Sequence, residues 1–587
     1  MADRIVIDPV TRIEGHLRIE LETDAGAISK AWSSTTQFRG IEAIAEGRDP
    51  RDVWAFVQRI CGVCTTVHAV ASITAVENAI SSMPPRQALL IRDMVLGSAG
   101  VQDHVIHFYH LHALDWVDVA DAVNADPEKT VAFAQSIGST WKGNTVDRMT
   151  AVRDTVQALL DSGQLSIFSG GYWGHPAYKL PSEANLMAVA HYLDALEFQR
   201  SMIRICTVFG GKNPHPNFLV GGMACTIDQE ASESINQVQV SEIQNWINDT
   251  LEFVQTCYVP DAMAIVGVYK DYFDIGASSP NYLAVGMAGA AYAGDPNQAP
   301  KYPTPMMDVK AGAIFDDDFS VVEDFDTSQI TESVASAWYS YSGGATELTP
   351  DKGETTVAYT GPQPPYAPAS PDTWLGDNDE YTWCKAPRYK GKPMQVGPLA
   401  RVLLAYARGH ARTKELVDGA ASTLGITLKQ MNSTAGRTLA RAVECLTSAE
   451  MMANETFPAF VKNLQAGDID VFDPSKWEPS SWPKTCEGYA LVEVPRGMLG
   501  HWVRIENGAV AHYQAVVPST WMAGGRDENG VQGPYEESLA GNGKHPLVDP
   551  TQPLEALRTI HSFDPCISCA VHVLDPSGSE LGVVVQS

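Results

Sequence analysis

Asp564-Pro565-Cys566-Ile567-Ser568-Cys569-Ala570-Val571-His572, which stops fifteen residues short of the end of a 587-residue chain, answers Arg59-Ile60-Cys61-Gly62-Val63-Cys64 near its start. Each stretch carries Cys-x-x-Cys. Together they supply four thiolates, enough to complete a soft-metal site, and their positions would make that site a closure of the whole fold. One such pair alone reads equally as a redox dithiol or half a zinc site, and the two together as structural zinc. Zinc knuckles, however, usually hold their pairs closer in sequence.

Working outward, the other six of ten cysteines (Cys206, Cys225, Cys257, Cys384, Cys445 and Cys486) stand singly, too sparse for a disulfide framework, and read as buried structural thiols. An apolar fraction of 44% implies a large, well-buried globular enzyme. A formal charge of -29 without a Lys/Arg run argues against nucleic acid as a partner. No apolar run reaches the roughly 20 residues that span a bilayer, and Met1-Ala2-Asp3-Arg4 leads into strand-like residues without a signal-peptide core. Export or membrane attachment is therefore expected to come from a partner.

Alternation over residues 4–33 predicts strands, interrupted at Asp8-Pro9-Val10-Thr11-Arg12-Ile13-Glu14-Gly15-His16, where Pro9 and Gly15 present Arg12, Glu14 and His16 from an irregular segment. Taken alone, a surface salt-bridge cluster is the simpler reading there. Asp49-Pro50 predicts a helix with Asp49 as N-cap, running into Cys61 and broken at Gly62, after which Thr65 to Ile80 is helical and contains His68. Arg59 beside the thiols argues for a charged species nearby. Spacing of three and four predicts packed helices over 84–260, with Asp103 and His107 on one face, and again over 398–467. The Gly/Pro turns 170–176 and 210–216 are candidates to line a site or an interface. Residues 268–384 lose periodicity and read as an extended surface excursion, while 489–517 alternate as strands. Patterning continues across every irregular stretch, so the chain is not cut into independent domains.

The motifs at residues 8–16, Phe38-Arg39-Gly40-Ile41-Glu42, residues 59–68, Val494-Pro495-Arg496-Gly497 and residues 564–572 resemble the signatures of the large subunit of nickel-iron hydrogenases. Five motifs in the family's order carry that resemblance from the first strand to His572. It implies an α+β fold, mainly helical, with a central helix bundle and small peripheral β-sheets. It further implies one domain over 1–572 and a C-terminal extension, 573–587, removed on maturation.

By the same resemblance, Cys61 and Cys566 would be terminal nickel ligands, and Cys64 and Cys569 would bridge nickel to an iron bearing one carbon monoxide and two cyanides. Glu14 would be the proton relay beside Cys566. Arg496, held by Asp103 and Asp564 and stiffened by Pro495 and Pro565, would lie over the metals. Ser519 would hydrogen-bond a cyanide, and His68 would donate from behind the metal ligands. Glu42, His572 and the carbonyl of Ala515 would hold magnesium, although Glu42 also reads as a salt-bridge partner of Arg39.

The six remaining cysteines are scattered singly and leave no further cluster for iron-sulfur centres, so an iron-sulfur small subunit is expected as an obligate partner. A maturation endopeptidase, nickel-insertion factors and a membrane cytochrome or quinone-linked subunit are expected too. The implied function is reversible heterolytic cleavage of dihydrogen on the periplasmic side of a membrane, in a heterodimer exported by the small subunit's signal. A dihydrogen sensor with the same site is the alternative. A non-catalytic relative of the kind found in respiratory complex I is disfavoured by the four cysteines.

Overall fold

The computed structural model describes residues 3–360, 374–541 and 543–570. The fold is α+β, mainly helical, with five small sheets among the described residues. The helix Val67–Ile80, apolar over most of its surface, is buried on nearly every face. It lies directly on the strand Thr485–Val494: a Cβ added at Gly488 would come 2.3 Å from the Ala79 nitrogen, so glycine permits the contact. That strand is central in an antiparallel sheet ordered Ala509–Val516, Gly497–Glu506, Thr485–Val494, Ala291–Ala293. Val494 pairs with Gly497, so Pro495 and Arg496 form a two-residue turn at the hairpin tip.

Arg86–Ile106, Ser182–Met202 and Thr434–Met451 form the bundle, as their periodicity predicts. Three π-helical segments, His107–His112, Val254–Tyr258 and Met452–Thr456, continue helices within the stretches whose spacing predicts helix, but with a wider turn that spacing alone does not reveal. At the N-terminus Asp3–Ile7, Leu17–Asp24 and Ala27–Thr35 make a three-stranded antiparallel sheet.

Three local expectations are corrected. Asp49 does not cap a helix: its Oδ1 accepts from the amide and side chain of Arg51, and the helix begins at Val53. Local Asp-to-backbone bonding outcompetes helix initiation there. Residues 268–384 are no surface excursion. Their described parts, 268–360 and 374–384, fold into short strands and help build a second hydrophobic core that buries Trp338, Tyr339, Trp383 and Tyr389; aromatic packing, which carries no sequence period, replaces regular structure. Of the six single cysteines, Cys225 and Cys486 are only half-buried.

The first core joins the bundle and the large sheet; the second joins the N-terminal sheet to the aromatic region. The C-terminal stretch occupies their seam. Cys566 and Cys569 belong to the first core, whereas Phe563, Ile567 and Ala570 belong to the second.

Candidate metal centre

The two cysteine pairs meet at that seam. Cys61 Sγ is 3.2 Å from Cys566 Sγ, Cys64 Sγ 3.2 Å from Cys569 Sγ and 4.0 Å from Cys566 Sγ, and Cys566 Sγ 2.9 Å from Cys569 Sγ. All four are buried. Burial opposes ionisation of Cys61, but the thiols of Cys566, Cys569 and Cys64, with Arg496, hold it well below the usual thiol range. Burial pushes Cys64 up to about 11 and drives Cys566 and Cys569 well above their ordinary value. Four buried thiols in contact can lose their protons together only with cations among them, and sulfur selects soft ones. The donor set and its spacing fit one or two such ions.

The N-terminal pair is built locally. Cys61 is extended, and the amides of Val63 and Cys64 donate to its sulfur at 3.3 and 3.0 Å, closing the turn predicted at Gly62 before the helix starts at Val67. The loop 210–216 braces it from outside: His215 Nε2 donates to the Cys61 carbonyl at 3.0 Å, and Gln58 Nε2 to that of Pro216 at 2.9 Å. Arg59 is not near the sulfurs. It is exposed and donates to Ala55 O and Gln58 Oε1, because the helical turn before Cys61 points it outward.

The C-terminal pair is held by distant residues. The Glu14 carbonyl accepts from the Ile567 amide at 2.7 Å, and its Oε2 accepts from the Ser568 amide at 3.0 Å and lies 3.6 Å from Cys566 Sγ. Gly15 permits this approach: a Cβ there would stand 2.4 Å from the Ser568 nitrogen. Burial, then the neighbouring Cys61 thiolate, raises the Glu14 carboxyl above its usual range. The Cys566 amide donates to Ser519 Oγ at 3.1 Å, leaving the Ser519 hydroxyl hydrogen to point elsewhere. Ser568 Oγ reaches Gln37 Oε1 at 2.8 Å.

A small apolar cavity lies against the sulfurs, lined in part by Cys64, His68, Pro495, Arg496, Ser519 and Cys566. Arg496 enters it from the hairpin tip, ion-paired to Asp564 Oδ1 at 2.9 Å and Asp103 Oδ2 at 3.4 Å, with Nε donating to the Asp564 carbonyl at 3.1 Å. Burial pushes Asp103 up to about 7 against the pull of Arg496. His68 Nδ1 meets His501 Nε2 at 3.1 Å, and burial pushes its imidazole down to about 4.

Glu42 lines a separate buried cavity with Glu332, Lys385, Gln514, Ala515 and Ala570. Its Oε1 accepts from the Ala515 amide at 2.7 Å, while Oε2 is buried without a hydrogen-bond partner. Arg39 does not pair with it, donating instead to the carbonyls of Ile60 and Arg59. An orphaned carboxylate oxygen fits a hard cation. The described chain reaches the wall of this cavity at Ala570; His572 and the extension 573–587 lie outside the described residues. Gln37, Ser568, Glu332, Lys385 and Gln514 were not singled out from sequence, since no local pattern marks a polar residue whose partner is 53 to 531 positions away.

Residues 39–572 match the family model described as "Nickel-dependent hydrogenase", and residues 4–38 match one described as "HoxL-like". The chain is 44% identical over 590 residues to the uptake hydrogenase large subunit of Rhizobium leguminosarum bv. viciae, covering 99% of this chain and 97% of that one. It is 44% identical to the hydrogenase-1 large chain of Escherichia coli K12, covering 98% and 96%. It also superposes on the Ni-Fe-Se hydrogenase of D. vulgaris Hildenborough with a TM-score of 0.73 at 28% identity, covering 97% and 100%.

Proposed function

The chain belongs to the nickel-dependent hydrogenase family, and on that premise we propose which of its residues carry the activity and how. It is the large subunit of an uptake-type nickel-iron hydrogenase, an oxidoreductase that oxidises dihydrogen to two protons and two electrons. The family implies a nickel-iron centre, and large subunits of this family pair with a small subunit.

The observation that carries the residue assignment is the meeting of four buried sulfurs with Glu14 on one side and Arg496 on another. Cys61 and Cys566, with Cys64 and Cys569, would hold the nickel-iron centre, whose iron would carry one carbon monoxide and two cyanides. When bound, the centre supplies the Lewis acidity and the redox capacity for splitting dihydrogen. Cys566 Sγ receives the proton and Glu14 Oε2 takes it on, since it lies 3.6 Å from that sulfur and its raised affinity for protons suits a relay. Arg496 stays charged at any working pH and is aimed by Asp103 and Asp564. The apolar wall of Pro495, Val67 and Leu499 excludes water around it. Ser519 and His68 offer hydrogen bonds from the rim. Magnesium would sit at Glu42, with the Ala515 carbonyl and His572.

Electrons leave through the small subunit, read as an iron-sulfur protein because the described residues hold one four-cysteine cluster and otherwise scattered thiols. Among the described residues no helix is long and apolar enough to cross a membrane, in keeping with periplasmic placement through the small subunit and a membrane cytochrome or quinone-linked subunit. Residues 1–572 act as one domain, and a maturation endopeptidase removes 573–587 after nickel-insertion factors have acted. A sensor is the weaker reading, because the relatives quoted are named uptake hydrogenases or hydrogenase-1.

Metal analysis and infrared spectroscopy of the purified heterodimer test this: nickel, iron and bands of bound carbon monoxide and cyanide are expected, and zinc without those bands would end the reading. Intact mass of active enzyme should place the C-terminus at His572.

A further inference from the structure

A second guanidinium grips the hairpin turn that carries Arg496. Arg401, on the buried side of the helix Pro398–Ala407, is 2% exposed and commits all five of its N–H donors. Nε donates to Glu444 Oε1 at 2.5 Å and Nη2 to Glu444 Oε2 at 2.7 Å. Nη1 donates to Glu493 Oε2 at 2.7 Å and to the Val494 carbonyl at 2.8 Å, and Nη2 to the Pro495 carbonyl at 2.9 Å. Glu444 Oε2 also meets His104 Nε2 at 2.9 Å, and His104 follows Asp103, the partner of Arg496. The turn lies directly against this helix's start: a Cβ at Gly397 would stand 2.6 Å from the Arg496 carbonyl oxygen, and one at Gly497 2.7 Å from the Gly397 nitrogen.

The two carbonyls matter because of what is left free at the turn. The Pro495 ring fixes its own φ, so the direction of the Arg496 Cα–Cβ bond depends on the peptide planes on either side of Pro495. The Val494 and Pro495 carbonyls define those planes, and Arg401 holds both. Buried ion networks are poor stabilisers compared with apolar packing, so stability is a weak reason for this one; an apolar side chain could fill the space but could not hold two successive carbonyls.

We propose that Arg401 is a positioning residue for dihydrogen oxidation, fixing the direction in which Arg496 extends into the cavity beside the sulfurs. This rests on the role given to Arg496 above. The test is a double-mutant cycle on the heterodimer, with hydrogen uptake normalised to nickel content and amide exchange followed by mass spectrometry.

Arg496→Lys alone tests the reading of Arg496 and should lower uptake by about a hundredfold. Arg401→Lys keeps the charge but has too few donors to span the same acceptors. It should cost about tenfold in the wild-type background and less than about twofold with Arg496→Lys already present. Amide exchange over 494–499 should rise about tenfold, with exchange at the Cys61–Cys64 turn unchanged. If Arg401→Lys does not fold, Glu493→Gln, which loosens one side of the grip, should show the same pattern at about threefold. Equal losses in both backgrounds, or unchanged exchange over 494–499, would overturn the proposal. Full uptake by Arg496→Lys would overturn the reading of Arg496 instead, and the exchange measurement would still decide whether Arg401 holds the turn.

Discussion

The two Cys-x-x-Cys turns are alike in sequence and unlike in how they are held. The first closes on itself through two N–H hydrogen bonds to Cys61 Sγ, with His215 as a brace from outside, opens a helix, and leaves Gly62 and Val63 exposed. The second is buried throughout and is held by Glu14, Ser519 and Gln37, each remote in sequence. A turn made of local bonds can form as soon as its residues exist; one made of long-range bonds waits for both cores to assemble around it. The metal centre is thus half preformed and half docked, and the docked half comes last in the chain. That order fits the proposed release of the final segment after metal is in place.

The hardest test of this asymmetry is to remove one sulfur from each half. Cys61→Ser and Cys566→Ser should each bring hydrogen uptake below about a thousandth of wild type, with nickel lost by mass-spectrometric metal analysis. They should differ in amide exchange: Cys566→Ser should leave Val67–Ile80 protected while 563–570 opens. Equal opening at both turns would break the distinction.

Glu14→Gln removes the proposed proton carrier but keeps an oxygen to accept from the Ser568 amide. Uptake and hydrogen–deuterium exchange should fall about 10²- to 10³-fold with nickel retained; exchange at the wild-type rate would remove Glu14 as the relay.

Glycines sharpen the comparison further. Gly15→Ala drives a Cβ into the Ser568 backbone at a positive φ, so the docked turn should lose about 2–3 kcal/mol, read as a thermal midpoint several degrees lower. At Gly62 a Cβ meets nothing within 4 Å, and Gly62→Ala should stay within about 0.5 kcal/mol of wild type. The smallest expected effect on the docked side is Ser568→Ala, which loses the bond to Gln37 and should cost about 1 kcal/mol in the same melting experiment.

Much of this was legible from residues alone. Helical spacing located Arg86–Ile106 and Thr434–Met451, alternation located the sheet from Thr485 to Val516, and glycine between Cys61 and Cys64 announced a break in the helix. These signals are local, so a short window contains them. The meeting of the four cysteines was legible for a similar reason: soft-metal chemistry favours cysteine, and the two pairs stand out by type.

Only the tertiary structure decided how those donors are supported. Sequence near Arg59 could not say that its side chain faces water, because one helical step changes the face it occupies. Asp49 carried the pattern of an N-cap, yet a bond to Arg51 claimed it first. The residues 268–384 hid a core because aromatic packing follows no period. Arg401 looked like one arginine in an amphipathic helix until the fold brought the Val494 and Pro495 carbonyls to it. Residue types and local periods are written in the chain; partners across hundreds of positions exist only once burial has brought them together.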